Sequence, residues 1–186
     1  TPELIERMKN RALSLCDNSN AYYADQFGSP DVTLGYEPMG QEIANSLDRN
    51  IDIFCASVGA GGAIMGAWQG LVRSDTKVSV VAFEPLQSPF LTTGKGGAHK
   101  VEGIGVGFDP PFLDRAALSD IRTIDQDLGF LMCRRLAKEE GIFCGASTGL
   151  NVVGAIELAK EMKPEQRVVT LACDSGLKYL GGHIYV

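Results

Sequence analysis

The sequence predicts an α/β fold in which a largely parallel, twisted sheet carries helices on both faces. Short apolar runs typical of buried strands alternate with longer segments of helical periodicity, and this alternation favours a parallel sheet. The predicted strands are residues 51–56, 78–84, 121–124, 142–143 and 168–173. A chain of 186 residues is long enough to bury a substantial core. We therefore expect residues 1–186 to form a single α/β domain.

The helices are predicted from apolar spacing and from residues that start or stop a helix. One begins at Pro2, one follows the first strand at residues 63–72, and one at residues 127–140 ends at Gly141, a typical C-terminal cap. A further helix is capped by Ser147 or Thr148. The residues expected to face inward are Leu128, Leu131, Met132 and Leu136 in the third helix and Val152, Val153, Ile156 and Leu158 in the fourth. Between the first helix and the first strand we expect a short strand at 21–24, a loop at 27–40 and a short helix at 42–47.

The composition excludes several classes of protein. A net charge of -6 argues against binding to nucleic acids or anionic membranes, because no basic surplus exists to neutralise phosphates. Residues 53–72 lack charge, but the five glycines among them favour a strand, a turn and a helix over a membrane span. The five cysteines are odd in number and lack paired spacing, which is typical of reduced thiols in a cytoplasmic protein. No metal-binding motif is present.

The most informative segment is the turn between the first strand and the helix that follows it. It consists of Gly59, Ala60, Gly61, Gly62 and Ala63. Its backbone N–H groups can approach an anion closely, and the helix N-terminus adds about half a positive charge. Two other interpretations remain open: a tight packing corner, or a dinucleotide site. The dinucleotide fingerprint fails at its third glycine, where Ile64 stands.

Two other regions are expected to meet this turn. Residues 85–111 form a long glycine-rich segment, and a loop of that length in a compact domain is often functional. Glycine turns also occur at 103–107 and 145–149, and Asp174 and Ser175 follow the last strand. Ligands bind at the carboxyl edge of a parallel sheet, so these turns are predicted to converge on one crevice. Taken alone, Ser175 is more simply an ordinary turn or helix-cap serine.

The order of these segments resembles one family of enzymes. The segments that carry the likeness are residues 40–43 (GQEI), 59–66 (GAGGAIMG), 83–85 (FEP), 99–108 (HKVEGIGVGF), 139–149 (EEGIFCGASTG) and 173–180 (CDSGLKYL). They resemble the C-terminal portion of the cysteine synthase and cystathionine β-synthase family, which are fold type II pyridoxal-phosphate enzymes. The resemblance extends over nearly the whole chain and implies the large domain of that fold.

The resemblance implies a role for each matched residue. Gly59, Ala60, Gly61, Gly62 and Ala63 would bind the phosphate of pyridoxal phosphate, and Ser175 would share a hydrogen bond with its pyridine nitrogen. Gly103, Ile104 and Gly105 would form the wall that the amino acid substrate meets. The implied reaction is β-replacement or β-elimination on an O-activated serine or a related amino acid.

The chain also departs from the family. Ala60 and Ala63 stand where threonines are common, and Glu102 stands where glutamine is common. The lysine that binds the cofactor covalently lies in the family's N-terminal portion, which precedes the matched region, so we assign no catalytic residue and expect this chain not to be competent alone. The alternatives are a non-catalytic cofactor-binding or assembly module and a nucleotide-binding α/β domain. We expect a homo-oligomer or association with the missing N-terminal half.

Overall fold

The computed structural model describes residues 2–17 and 20–185, and its centre is a parallel four-stranded sheet. The strands are β1 (Ile53–Ser57), β2 (Ser79–Pro85), β3 (Asp120–Ile124) and β4 (Val168–Thr170). Their order across the sheet is β3-β2-β1-β4, and all three neighbouring pairs run parallel. The predicted fold class is confirmed.

Helices cover both faces of the sheet. They are α1 (Pro2–Asp17), α2 (Asp31–Leu34), α3 (Glu37–Ser46), α4 (Gly62–Arg73), α5 (Phe90–Thr93), α6 (Gln126–Arg135), which continues through a π-helical turn at Leu136–Glu140, and α7 (Ala146–Glu161). None of the helices in the described part of the chain has the length and hydropathy that crossing a membrane requires.

Alternate strand residues point to two separate core clusters. Phe54 and Ala56 of β1 pack with residues of α3 and α4, whereas Cys55 packs on the opposite face with residues of α6 and α7. Phe83 of β2 is fully buried, and a Cβ at Gly154 of α7 would lie 2.6 Å from its ring. Strand side chains alternate between the two faces of a sheet, so each apolar strand supplies both clusters.

Two short predicted strands are absent. Residues 21–24 are irregular backbone, and residues 142–143 precede a single isolated bridge between Cys144 and Ser175. Strands are stabilised by their neighbours, and neither run has a strand beside it to pair with. The loop expected at 27–40 instead contains α2 and the start of α3. The final strand ends at Thr170, three residues earlier than predicted.

The inward face of α6 differs from the prediction. Leu128 and Leu131 are both 48% exposed, whereas Phe130 and Cys133 are buried, together with the predicted Leu136. The helix is fixed by its packing against α7, where a Cβ at Gly129 would lie 3.1 Å from the Leu150 nitrogen. In α7 itself, Val153 and Leu158 are buried as predicted and Ile156 is exposed. Its cap is Gly145, so Ser147 and Thr148 lie inside the first turn rather than at the cap.

The revised face of α6 gives a test of stability. We expect Phe130→Ala to lower the free energy of unfolding by about 3 to 5 kcal/mol, because it leaves a cavity in the core. Leu131→Ala, the matched change at an exposed neighbour, should lower it by less than about 1 kcal/mol. Urea denaturation of both variants measures the difference, and equal losses would contradict the assigned face.

Candidate functional site

A cleft of about 650 Å³ lies at the carboxyl edge of the sheet. The loop after β1, the long segment after β2, the first turn of α7 and the segment after β4 all contribute to it, as do residues around α2. Its lining includes Gly59, Ala60, Gly61, Gly62, Ala63, Glu102, Gly103, Ile104, Ser147, Cys173, Asp174, Lys178 and Tyr179. The predicted crevice therefore exists where the strand order implies it.

Asn151 of α7 holds the cleft open at its base. The β1–β4 ladder ends at the pair Cys55 and Thr170, although β1 itself continues to Ser57. The Asn151 side chain, which is fully buried, accepts from the Ser57 N–H at 2.7 Å and donates to the Leu171 carbonyl at 2.9 Å. We call this arrangement the Asn151 clamp. It satisfies backbone groups that lose their ladder partners, because buried polar groups require such partners.

The loop between β1 and α4 presents a row of free donors. Within the described residues, the N–H groups of residues 59–64 have no backbone acceptor. Gly61 caps α4 with a φ of 91°, a left-handed conformation that glycine adopts without strain. The unpaired N–H groups and the helix dipole together favour a bound anion at this end of α4.

The second glycine loop packs directly on the first. A Cβ at Gly59 would overlap the carbonyl oxygen of Gly103, so the two backbones approach too closely for any side chain there. The Gly105 N–H donates to the Val58 carbonyl at 2.9 Å, and the Phe112 N–H donates to the Ala60 carbonyl at 3.1 Å. Gly103, Ile104 and Gly105, which we call the substrate-side wall, are thereby fixed beside the free N–H groups.

The long segment after β2 is tied to the domain by buried polar residues. Glu84, which is 2% exposed, accepts from the Leu91 N–H at 2.6 Å and from both the N–H and the hydroxyl of Thr92. Ser88, fully buried, accepts from the Gly97 N–H at 3.0 Å. These bonds stabilise the start of α5 and hold the segment against the sheet edge, and Gly103 of this segment reaches the cleft.

The mouth of the cleft carries a chain of charges. Lys178 Nζ lies 3.7 Å from Glu102 Oε2 and 3.7 Å from Asp174 Oδ2. Because Glu102 directly precedes the substrate-side wall, Lys178 links the loop that carries the wall to the segment after β4. The Tyr179 hydroxyl donates to Asp174 at 2.9 Å. Burial and the neighbouring carboxylate raise the pKa of Tyr179, so its hydroxyl stays protonated.

Cys173 is the thiol that lines the cleft. Its N–H donates to Thr148 Oγ1 at 2.9 Å, and the Asn151 amide lies 3.6 Å from its sulfur. Desolvation is the main cause that raises the pKa of this thiol, and the hydrogen bond with Ser147 opposes it. The thiol is therefore protonated near neutral pH and is a weak nucleophile there.

The structure brings most of the predicted site residues together. Gly59, Ala60, Gly61, Gly62, Ala63, Gly103 and Ile104 line the cleft. Gly105 lies behind it, and Ser175 is outside the lining, where its Oγ accepts from the Leu177 N–H at 3.3 Å and caps a 3-10 turn. Sequence reasoning missed Asn151, because a polar residue inside an apolar helix carries no signal of what it bonds. Ser147 lies in the 145–149 turn that was predicted to reach the crevice, and it does line the cleft, although it does not cap the helix. Sequence reasoning also missed the cleft residues near α2, among them Asp31 and Tyr36.

Comparison with known proteins decides the family. The family described as "Pyridoxal-phosphate dependent enzyme" matches residues 3–174. The chain belongs to this family. A cysteine synthase of Staphylococcus aureus is 34% identical over 185 residues, which cover 98% of this chain and 60% of that protein. Cysteine synthase B of Campylobacter jejuni is 37% identical over 172 residues, 92% of this chain and 57% of that protein.

Solved structures of related enzymes have the same fold as this chain. An O-acetylserine dependent cystathionine β-synthase from Helicobacter pylori has a TM-score of 0.85 and 32% identity, and the match covers 95% of this chain and 58% of that one. A cysteine synthase from Entamoeba histolytica has a TM-score of 0.85 at 28% identity, with 96% and 53% covered. The fold is that of fold type II enzymes. The chain spans about 60% of the length of the first of these curated relatives.

The residues of this family member fit the phosphate of pyridoxal phosphate. A cluster of unpaired N–H groups at a helix N-terminus suits a phosphate monoester, and small residues leave the anion free to approach the backbone. Ala60 and Ala63 supply no hydroxyl donor, so the backbone provides the contacts there. Each missing neutral hydrogen bond removes about 1 kcal/mol of binding free energy.

The contact between the two glycine loops gives a second test. Gly59→Ala places a methyl group on the Gly103 carbonyl oxygen. Because that oxygen belongs to the backbone and cannot turn away as a flexible side chain would, we expect the free energy of unfolding to fall by about 1 to 3 kcal/mol. Gly181→Ala, where a Cβ meets open space, should leave it unchanged. Denaturant titration measures both variants, and an unaffected Gly59→Ala protein would show that the loops do not pack as described.

The ion pairs at the mouth of the cleft give a third test. Glu102→Gln removes a carboxylate from the cleft and leaves Lys178 with one carboxylate partner, Asp174, so we expect phosphate affinity to rise about two- to fivefold at low salt and the gain to shrink at high salt. Glu165→Gln, an exposed change in the turn before β4, is the control. Calorimetric titration with inorganic phosphate measures both. An affinity that falls in Glu102→Gln would contradict this electrostatic account.

Proposed function

We propose that this chain binds pyridoxal phosphate and belongs to an enzyme that performs cysteine synthase-like β-replacement or β-elimination on an O-activated serine or a related amino acid. One observation carries the proposal. Residues 59–64, whose N–H groups have no acceptor within the described residues, line one cleft together with Gly103 and Ile104 of the substrate-side wall, and backbone contacts fix the two loops to each other. The relatives named cysteine synthase support the same reaction class.

Each part of the cleft has a role in this proposal. When bound, the cofactor supplies an electron sink for charge that develops beside the substrate amino group. Gly59, Ala60, Gly61, Gly62 and Ala63 would hold its phosphate through their backbone N–H groups. The family resemblance gives Ser175 as the neutral partner of the ring nitrogen, although its hydroxyl caps a 3-10 turn outside the cleft lining. Gly103, Ile104 and Gly105 orient the amino acid by backbone groups.

The covalent lysine is proposed to come from outside these 186 residues. Of the residues that line the cleft, Lys178 is the lysine, and it is paired with both Glu102 and Asp174. A lysine nucleophile needs an amine that is free and aimed at its target, whereas the Lys178 ammonium is held in ion pairs with two carboxylates. The described α/β domain is therefore proposed to be one part of a larger active site and to be incompetent alone.

The cofactor assignment is tested by comparing pyridoxal phosphate with pyridoxal. We expect equilibrium dialysis to detect binding of pyridoxal phosphate and at least about tenfold weaker binding of pyridoxal, because the N–H row recognises the phosphate. NAD and ATP are the controls for the alternative of a nucleotide-binding domain. Equal affinity for pyridoxal and pyridoxal phosphate would contradict the assignment, and preference for NAD or ATP would support the alternative.

The incompetence of the chain is tested by reductive trapping. Borohydride treatment in the presence of stoichiometric pyridoxal phosphate, followed by peptide mass mapping, should label no single lysine in preference to the others. Lys178→Arg is the matched control, since it keeps the charge and removes the amine nucleophile. A selective label on Lys178 that disappears in Lys178→Arg would contradict the proposal and restore a catalytic role to this chain.

We also propose self-association in a cytoplasmic setting. Several large apolar side chains are exposed, among them Leu4, Met8 and Leu15 of α1, and exposed apolar surface favours association. All five cysteines are free, which agrees with a reducing compartment. Light scattering over a wide concentration range measures the assembly, and a monomer throughout would contradict the first part of this proposal.

A further inference from the structure

His99 occupies a defined place behind the substrate-side wall. Its ring is half-buried in the long segment after β2, six residues before Gly105. Its Nδ1 accepts from the Val101 N–H at 3.3 Å, and its Nε2 lies 2.9 Å from the Gly105 carbonyl oxygen. An imidazole that accepts at Nδ1 carries its proton on Nε2, so Nε2–H donates to Gly105.

These two hydrogen bonds connect the His99 ring to the residues on either side of Gly103 and Ile104, namely Val101 and Gly105. Val101 is 2% exposed and belongs to the core cluster of α6 and α7, and Ile104 anchors the loop in the same cluster. Gly103, which lies between these two anchors, and Gly105, which follows the second, both have positive φ angles, so the chain turns sharply here. A Cβ at Gly105 would lie 2.7 Å from His99 Nε2, so the edge of the ring lies directly against the glycine.

The position of Gly105 in turn determines how the substrate-side wall contacts the loop between β1 and α4, which we call the phosphate loop (residues 59–63). The Gly105 N–H donates to Val58, the residue before Gly59, while Gly103 lies against Gly59 itself. Without a donor at its carbonyl, Gly105 retains one of two polar bonds, and the loop gains freedom to move away from the cleft.

We propose that His99 is a positioning residue that holds the substrate-side wall in register with the phosphate loop. It acts through the Gly105 carbonyl and touches neither the substrate nor the cofactor. The inference rests on the proposed function for what the wall binds, but the hydrogen bonds that carry it stand independently of that function.

Three substitutions at His99 separate its two bonds. Glutamine places an amide N–H near the position of Nε2, asparagine places an amide oxygen near the position of Nδ1, and alanine removes both groups. We expect the Gly105 amide to exchange with solvent about tenfold faster in His99→Asn and His99→Ala, and close to the wild-type rate in His99→Gln. The control is His183→Gln, whose ring packs edge-to-face on Phe130 with a 4.7 Å centroid separation.

Binding measurements on the same proteins test the role of the wall. With pyridoxal phosphate present, O-acetyl-L-serine should bind about tenfold more weakly to His99→Asn and His99→Ala, while His99→Gln recovers most of the affinity. Affinity for pyridoxal phosphate should change by less than about twofold in all variants. A purely structural role would lower both affinities together.

The outcomes distinguish this inference from the proposed function. Gly105 exchange that is unchanged in His99→Ala, or that His99→Gln does not restore, overturns the inference. Faster exchange with unchanged amino acid affinity also overturns it. Failure of the wild-type chain to bind pyridoxal phosphate, alongside His99-dependent exchange at Gly105, contradicts the proposed function and supports the positioning of the wall by His99.

Discussion

The site depends on the separation of β1 from β4 at the carboxyl edge of the sheet. A parallel ladder that continued past Cys55 and Thr170 would leave no crevice between these strands. The Asn151 clamp replaces the missing ladder bonds with a side chain, so the strands diverge without leaving buried backbone groups unpaired. The space beyond the ladder is the base of the cleft, and the Gly-rich turn, Ser147 of α7, Cys173 and Asp174 all border it.

Two glycine-rich segments then complete the cleft by packing on each other. Their approach is possible because Gly59 has no side chain where the Gly103 carbonyl lies. Buried Glu84 and Ser88 hold the long segment that carries Gly103, and His99 fixes its end at Gly105. A loop that is rich in glycine is thus ordered by polar side chains elsewhere in the same segment. Preorganised backbone groups of this kind lose little conformational entropy when a ligand binds.

Sequence patterns predicted the fold and the Gly-rich turn between β1 and α4 because both depend on local signals. Strand and helix alternation specifies a parallel sheet, and the run from Gly59 to Ala63 has a direct meaning for the backbone. The inward face of α6 was predicted wrongly, since Leu128 and Leu131 are as apolar as the buried Phe130 and tertiary packing decided between them. Residues 142–143 have strand propensity but no neighbouring strand to pair with. Asn151 and His99 act through hydrogen bonds to residues distant in the fold or along the loop, which no spacing pattern encodes.

The central claim is that the N–H row at the start of α4 receives the phosphate of the cofactor. Amide chemical shifts of the chain, followed by NMR as inorganic phosphate and then pyridoxal phosphate are added, test this most directly. We expect both ligands to shift the same amides, those of residues 59–64, and pyridoxal phosphate to shift Gly103 and Ile104 as well. Shifts centred on other residues, or none at residues 59–64 when pyridoxal phosphate is bound, would contradict it.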